Sequence, residues 1–193
     1  MKFLTSAIFL LLIGCFTSCL IPETNHFVPD YFLLTSRATD SNKSANTNEL
    51  SFYIKEVRLP QYLQDKRLVS RPTDDTIVFR ENVRWGEPLE MGISRVLGQN
   101  LSALLNTLEY GVYPQRRKFE YFSEIELTIE RFEMISGGVV KVKAFWEVNG
   151  QDGQKHRNVF EGTHMLEGIQ VQNEVRALSQ LLLKLSEEIA LDF

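Results

Sequence analysis

The chain has 193 residues, with 21 lysines and arginines against 25 aspartates and glutamates and a net charge of −4. That mildly acidic balance lacks the basic footprint of a general nucleic-acid binder, so no nucleic-acid partner is expected. Cys15 and Cys19 are the only cysteines; everything downstream lacks a disulfide framework or a thiolate metal site and must be held by its core.

The first twenty residues, MKFLTSAIFLLLIGCFTSCL, set one lysine before an apolar run from Phe3 to Ile13. The run is far shorter than the roughly 20 residues that cross a bilayer, so it reads as an export signal that is removed. Small residues before a cysteine describe a lipidation site. Leu12, Ile13 and Gly14 before Cys15 fit the usual pattern better than Phe16, Thr17 and Ser18 before Cys19. An ordinary cleaved signal peptide is the plainer alternative. Residues 1–19 are therefore the signal segment, and residues 20–30, polar with two prolines, a short tether. Residues 31–193 form a single domain of ordinary size, which needs no second domain to bury a core.

Within that domain Tyr31 to Leu34 is an apolar run expected as a first strand, close enough to the cysteines to keep the domain near its membrane. SRATDSNKSANTNE, residues 36–49, is a loop. SFYIKEVRLP puts Phe52, Ile54 and Glu56 on one face and Tyr53, Lys55 and Val57 on the other, until Pro60 ends the strand. Leu68 to Arg71 and Thr76 to Phe79 flank the turn signal PTDD and read as a hairpin. After Pro88 the period changes: Leu89, Ile93, Val96, Leu97, Leu101, Leu104, Leu105 and Leu108 stand three and four apart, as in an amphipathic helix with proline in its first turn.

Ile125, Leu127 and Ile129 then alternate inward, but Phe132 and Met134 have the opposite parity, which requires a bulge near Glu130 or Arg131. Ser136, Gly137 and Gly138 turn the chain into a strand where Val140, Val142, Ala144, Trp146 and Val148 alternate with polar residues. Asn149 to Gly153 turns it again into a strand from about Arg157 to Leu166. Val171, Val175, Leu178, Leu182, Leu185 and Ile189 mark a closing helix. Two helices with single apolar faces need one sheet face to cover. The expected fold is α/β (α+β), a two-layer sandwich whose mostly antiparallel or mixed sheet is covered on one face by two amphipathic helices, with the other face polar.

GxSxG, HExxH, Walker and GxGxxG patterns are all missing, which removes the commonest routes to hydrolase, metalloprotease or nucleotide chemistry. His156 and His164 share a strand face but lie too far apart for one metal, and with His26 they read as structural or solvated. Glu87 and Glu90 flank a helix start, where the dipole accounts for them; Asp74 and Asp75 have turn chemistry. Arg116, Arg117 and Lys118 read as a solvated turn. Tyr110, Tyr113, Tyr121 and Phe122 read as core-edge or loop packing, with a lipid or protein contact as the alternative. No enzyme activity, catalytic residue, cofactor or metal is expected.

EVRLPQYL (56–63), RLVSR (67–71), RWGEPLE (84–90), ISRVLGQNLSALL (93–105), IERFE (129–133) and KAFWEV (143–148) together resemble the PqiC-like lipoproteins, auxiliary components of ABC-type envelope transport systems. The resemblance runs from Tyr31 onward and fades after Asn149. It favours Cys19 as the lipid attachment, with Cys15 the alternative, because the modified cysteine precedes a segment like Leu20, Ile21 and Pro22. It implies a periplasm-facing, lipid-anchored protein, outer-membrane sorting being allowed because neither cysteine is followed by aspartate. The implied role is docking within an intermembrane lipid transport system that supports envelope integrity. Its partners would be an MCE-domain protein and inner-membrane transport components, and self-association into a homo-oligomer is open. Arg84, Trp85 and Glu87 are the partner-contact candidates. The structural alternative, which is preferred, has Trp85 capping the core and Arg84 pairing with Glu87 or another local acid. A carrier that itself binds lipid or another hydrophobic cargo is the alternative function; an envelope hydrolase is a third class without a supporting motif.

Overall fold

The computed structural model describes residues 28–38, 50–115 and 123–193. In chain order these hold strands β1 (Asp30–Phe32), β2 (Phe52–Ile54), β3 (Arg67–Thr73) and β4 (Thr76–Trp85), helix α1 (Leu89–Leu104), strands β5 (Tyr110–Val112), β6 (Ser123–Ile135), β7 (Val139–Gly150) and β8 (Lys155–Met165), and helix α2 (Val171–Ala190). The strands make one curled, mixed sheet, and both helices pack on it, as the sequence pattern predicts.

Strand β6 organises the sheet. Along one side it pairs antiparallel with β7 from Ser123↔Gly150 to Ile135↔Val139, and β8 continues that meander. Its other side is shared: β2 pairs parallel with residues 123–125, Arg58 bridges to Thr128, and β3 pairs parallel with Met134 and Ile135. Beyond β2 lies β5, and beyond β3 lie β4 and then β1. The expected bulge falls between Ile129 and Arg131, and it returns Phe132 and Met134 to the inward side opposite Val142 and Val140. Gly137 and Gly138 have φ of 74° and 69° in the β6–β7 turn, a backbone region that glycine enters without steric cost.

Ile125, Leu127, Ile129, Val140, Val142 and Ala144 are at most 1% exposed beneath the helices. Ile93, Leu97 and Leu101 of α1 and Leu178, Leu181, Leu182 and Leu185 of α2 fill the space against them. α2 lies over β6, β7 and β8, while α1 lies against α2 and β5. A Cβ on Gly98 would meet Tyr110 Cε2 at 2.9 Å and Val112 Cγ2 at 3.0 Å, so the helix needs glycine there to approach β5.

Four local expectations are corrected. α1 ends at Leu104, and Asn106 then takes a φ of 51°, so Leu108 lies outside the helix with 48% of its surface exposed. β5 was hidden because three residues are too few to show a period. After Ile54 the parity changes, leaving Glu56 exposed and Val57 in the core. The first strand is Asp30–Phe32, and the chain then leaves the sheet. Leu34, 2% exposed, enters the core; the Thr35 amide donates to Ser179 Oγ on α2 at 3.2 Å; and Ser36 Oγ donates to Asn100 Oδ1 on α1 at 2.7 Å. Residues 33–38 thus strap the sheet edge to both helices.

Candidate docking surface

The RWGEPLE segment is an elbow where β4 ends and α1 begins. Trp85 is the last residue of β4 and faces the core: it is 6% exposed and its ring centroid lies 6.4 Å from that of Phe132. Its amide donates to the Lys66 carbonyl at 2.7 Å, and the amide of Gly86 donates to Phe32 at 2.8 Å, which ties the elbow to β1. Glu87 pairs with Arg95 two turns into α1, and Arg95 also donates to the Leu34 carbonyl at 2.9 Å. Arg84 therefore does not pair with Glu87. It stands on the opposite side of β4 from Trp85, between Tyr31 of β1 and Arg67 of β3, and its Nε is buried without a hydrogen-bond partner. Arg67 beside it is bound by Asp65 and Glu81. The guanidinium of Arg67 holds the Asp65 carboxyl down at about 2, with a small contribution from Arg84.

A second polar centre joins RLVSR to IERFE. The Glu133 carboxylate, 1% exposed, receives Tyr62 Oη at 3.0 Å, Arg71 Nε at 3.2 Å, the Phe132 amide at 2.7 Å and Nε of Arg131. Tyr62 Oη also lies 3.1 Å from the Glu130 carbonyl, so the phenol closes the bulge. Burial, followed by the charge of Glu133, pushes this phenol above its ordinary pKa. Such a carboxylate fixes the β3–β6 seam, since each of its lone pairs is occupied. Sequence reasoning assigns Glu133 no role of its own; its hint is the outward parity of an acid just past a bulge, opposite Lys141.

The helix-free face of β6, β7 and β8 carries an ion-pair lattice. Lys55 reaches Glu124 and Glu126, Arg58 reaches Glu126, Lys143 reaches Glu130, Lys141 reaches Glu161, and Arg157 and Lys155 share Glu147. Among these charges Phe145 and Val159 are 38% and 45% exposed. They line a shallow cavity of about 330 Å³ with Arg58, Glu126, Glu147 and Arg157. The polar face expected from strand alternation thus has an apolar centre, a combination characteristic of protein interfaces.

His156 and His164 both stand on β8, His156 with Nδ1 3.9 Å from Asp192 Oδ1. Tyr110 stacks on Phe52 at 5.3 Å between centroids, whereas Tyr113 is 42% exposed. Cys15, Cys19, His26, Arg116, Arg117, Lys118, Tyr121 and Phe122 lie outside the described residues.

The curled mixed sheet with two helices packed on it is an α/β fold shared with solved structures. One, a crystal structure of an uncharacterized protein, superposes with a TM-score of 0.71 at 22% identity, covering 86% of this chain and 98% of that one. A Xanthomonas campestris protein superposes with a TM-score of 0.67 at 12% identity, over 83% and 92% of the two chains. Residues 31–190 match the family of ABC-type transport auxiliary lipoprotein components, and the chain belongs to it. Its relatives include the intermembrane transport lipoprotein PqiC of Escherichia coli, 26% identical over 172 residues, which covers 89% of this chain and 84% of the relative. PqiC of Shigella flexneri matches to the same extent.

Proposed function

We propose that this protein is a lipid-anchored docking subunit of an intermembrane transport system, held by Cys19, or by Cys15, at the periplasmic face of the outer membrane. The observation that carries this reading is the family match over residues 31–190, on a chain whose first nineteen residues read as an export signal with a lipidation site. Its partners are an MCE-domain protein and inner-membrane transport components, which move lipid and so sustain the envelope. Tethering raises the local concentration of the docking surface without adding a contact.

The domain divides that work between its edges. Residues 28–38 bring the tether in at β1, one end of the strand row β1–β4–β3–β6–β7–β8. The Phe145 and Val159 surface is near the other end, four to five strand spacings or about 19–24 Å along the curled sheet. Trp85 and Glu87 serve docking from behind, by fixing the elbow, and the lattice around Phe145 meets the partner. Affinity purification of the lipidated protein from its native envelope, followed by mass spectrometry, tests this. Recovery of an MCE-domain protein or a transporter subunit supports docking; recovery of the protein alone with bound lipid favours a carrier.

A further inference from the structure

We propose that the β1 edge, presenting Tyr31, Leu33 and Arg84, is the surface that rests on the membrane holding the N-terminal lipid. This deepens the proposed function, because it rests on the chain being lipid-anchored.

YFLL is apolar on both of its faces, yet only one is used by the core. Leu34 is 2% exposed and Phe32 packs against the core, whereas Tyr31 and Leu33 are 61% and 52% exposed and Val28 is 85% exposed. β1 pairs with β4 alone and so is an edge of the sheet. Tyr31 is the register partner of Arg84, which sets an aromatic ring and a guanidinium side by side. Among the described residues Arg84 forms no ion pair, although Arg67 next to it has both Asp65 and Glu81. The group has the chemistry of a bilayer interface: a tyrosine suited to headgroup depth, an aliphatic side chain, and a guanidinium matched to lipid phosphate.

Chain length selects the membrane over a protein as occupant. Eight residues lie between Cys19 and Val28, and even fully extended these nine Cα-to-Cα steps span only about 30 Å. Any bilayer that holds the lipid therefore stays within reach of this edge. The edge cannot swing away freely, because the Gly86 amide holds Phe32 and Arg95 holds the Leu34 carbonyl.

The test uses the full-length lipidated protein in vesicles of phosphatidylethanolamine and phosphatidylglycerol, with and without bromine on the acyl chains. The wild type supplies a background from Trp85 and Trp146, both buried. Tyr31→Trp and, independently, Leu33→Trp should add emission that brominated lipid lowers about twofold, as expected of a side chain at the interface. Val159→Trp, near the far edge, should be unaffected, and adding Arg84→Glu to Tyr31→Trp should reduce the quenching. Vesicle-bound protein whose added tryptophans at both β1 positions escape quenching would overturn the membrane contact while leaving the lipid anchor intact. Protein that does not float with the vesicles would overturn both. Loss of transport subunits from the affinity purification is read separately and bears only on docking.

Discussion

Asn100 on α1 donates its side-chain amide to Ser186 Oγ on α2 at 3.1 Å while its Oδ1 accepts from Ser36 Oγ and from the amides of Arg37 and Ala38. One fully buried side chain thus joins both helices to the strap. Asn100→Ala should cost about 2 kcal/mol, the scale of stranding buried polar partners. Hydrogen exchange will show the effect as a larger loss of protection at Arg37 and Ala38 than at the β6–β7 amides, which report global unfolding.

Trp85→Ala should destabilise the domain by about 4 kcal/mol, because a large side chain leaves a packed core. Denaturant unfolding measures this. Any loss of partner recovery in this variant should scale with the unfolded fraction, as expected of a side chain buried in the core.

Glu133 balances Arg71 and Arg131, whose side chains are 16% and 21% exposed. Glu133→Gln should cost about 3 kcal/mol, the range for removing one partner of a buried charge cluster. In a double-mutant cycle with Arg71→Met the two losses should be clearly less than additive.

Asp65 has a folded-state pKa of about 2, below the ordinary 3.8, because Arg67 hydrogen-bonds its ionised form. A depressed carboxylate pKa stabilises the fold above pH 3.8, and that contribution is lost as pH falls toward about 2. Asp65→Asn should therefore flatten the acid limb of the stability profile in this window. Glu174 runs the other way: burial raises its pKa despite Arg80, so its ionisation weakens the fold as pH rises above 4.5. Glu174→Gln should remove that decline.

Phe145→Glu and Val159→Glu should leave the melting temperature nearly unchanged, since exposed positions rarely shift stability by more than about 0.5 kcal/mol. Both should reduce the recovery of transport subunits from the envelope. Undiminished recovery with both variants would move the docking surface elsewhere.

Long periodic segments made most of this fold legible in the sequence. The alternation of Val140 to Val148 and the spacing of Leu178, Leu182 and Leu185 follow directly from which side chains must leave water, and the parity break before Phe132 required the bulge. Shorter or less regular features were not legible. β5 has three residues, α1 stops where Asn106 turns, and residues 36–38 read as loop although Asn100 fixes them. The site was legible in part. RWGEPLE pointed to a junction, but its ion pair needed Arg95 from two turns further on, and Glu133 gained its partners only when β3 came beside β6.

The parallel pairing of β1 with β4, followed by the strap, also determines how the domain answers mechanical tension. A pull from residue 28 along β1 loads the β1–β4 hydrogen bonds in shear, so they resist together and do not peel one at a time. Strain that passes them reaches Leu34 in the core, Ser179 on α2 and Asn100 on α1. The lead-in is a fastening that distributes force over both layers, so a pull on residue 28 would shift the domain as one body.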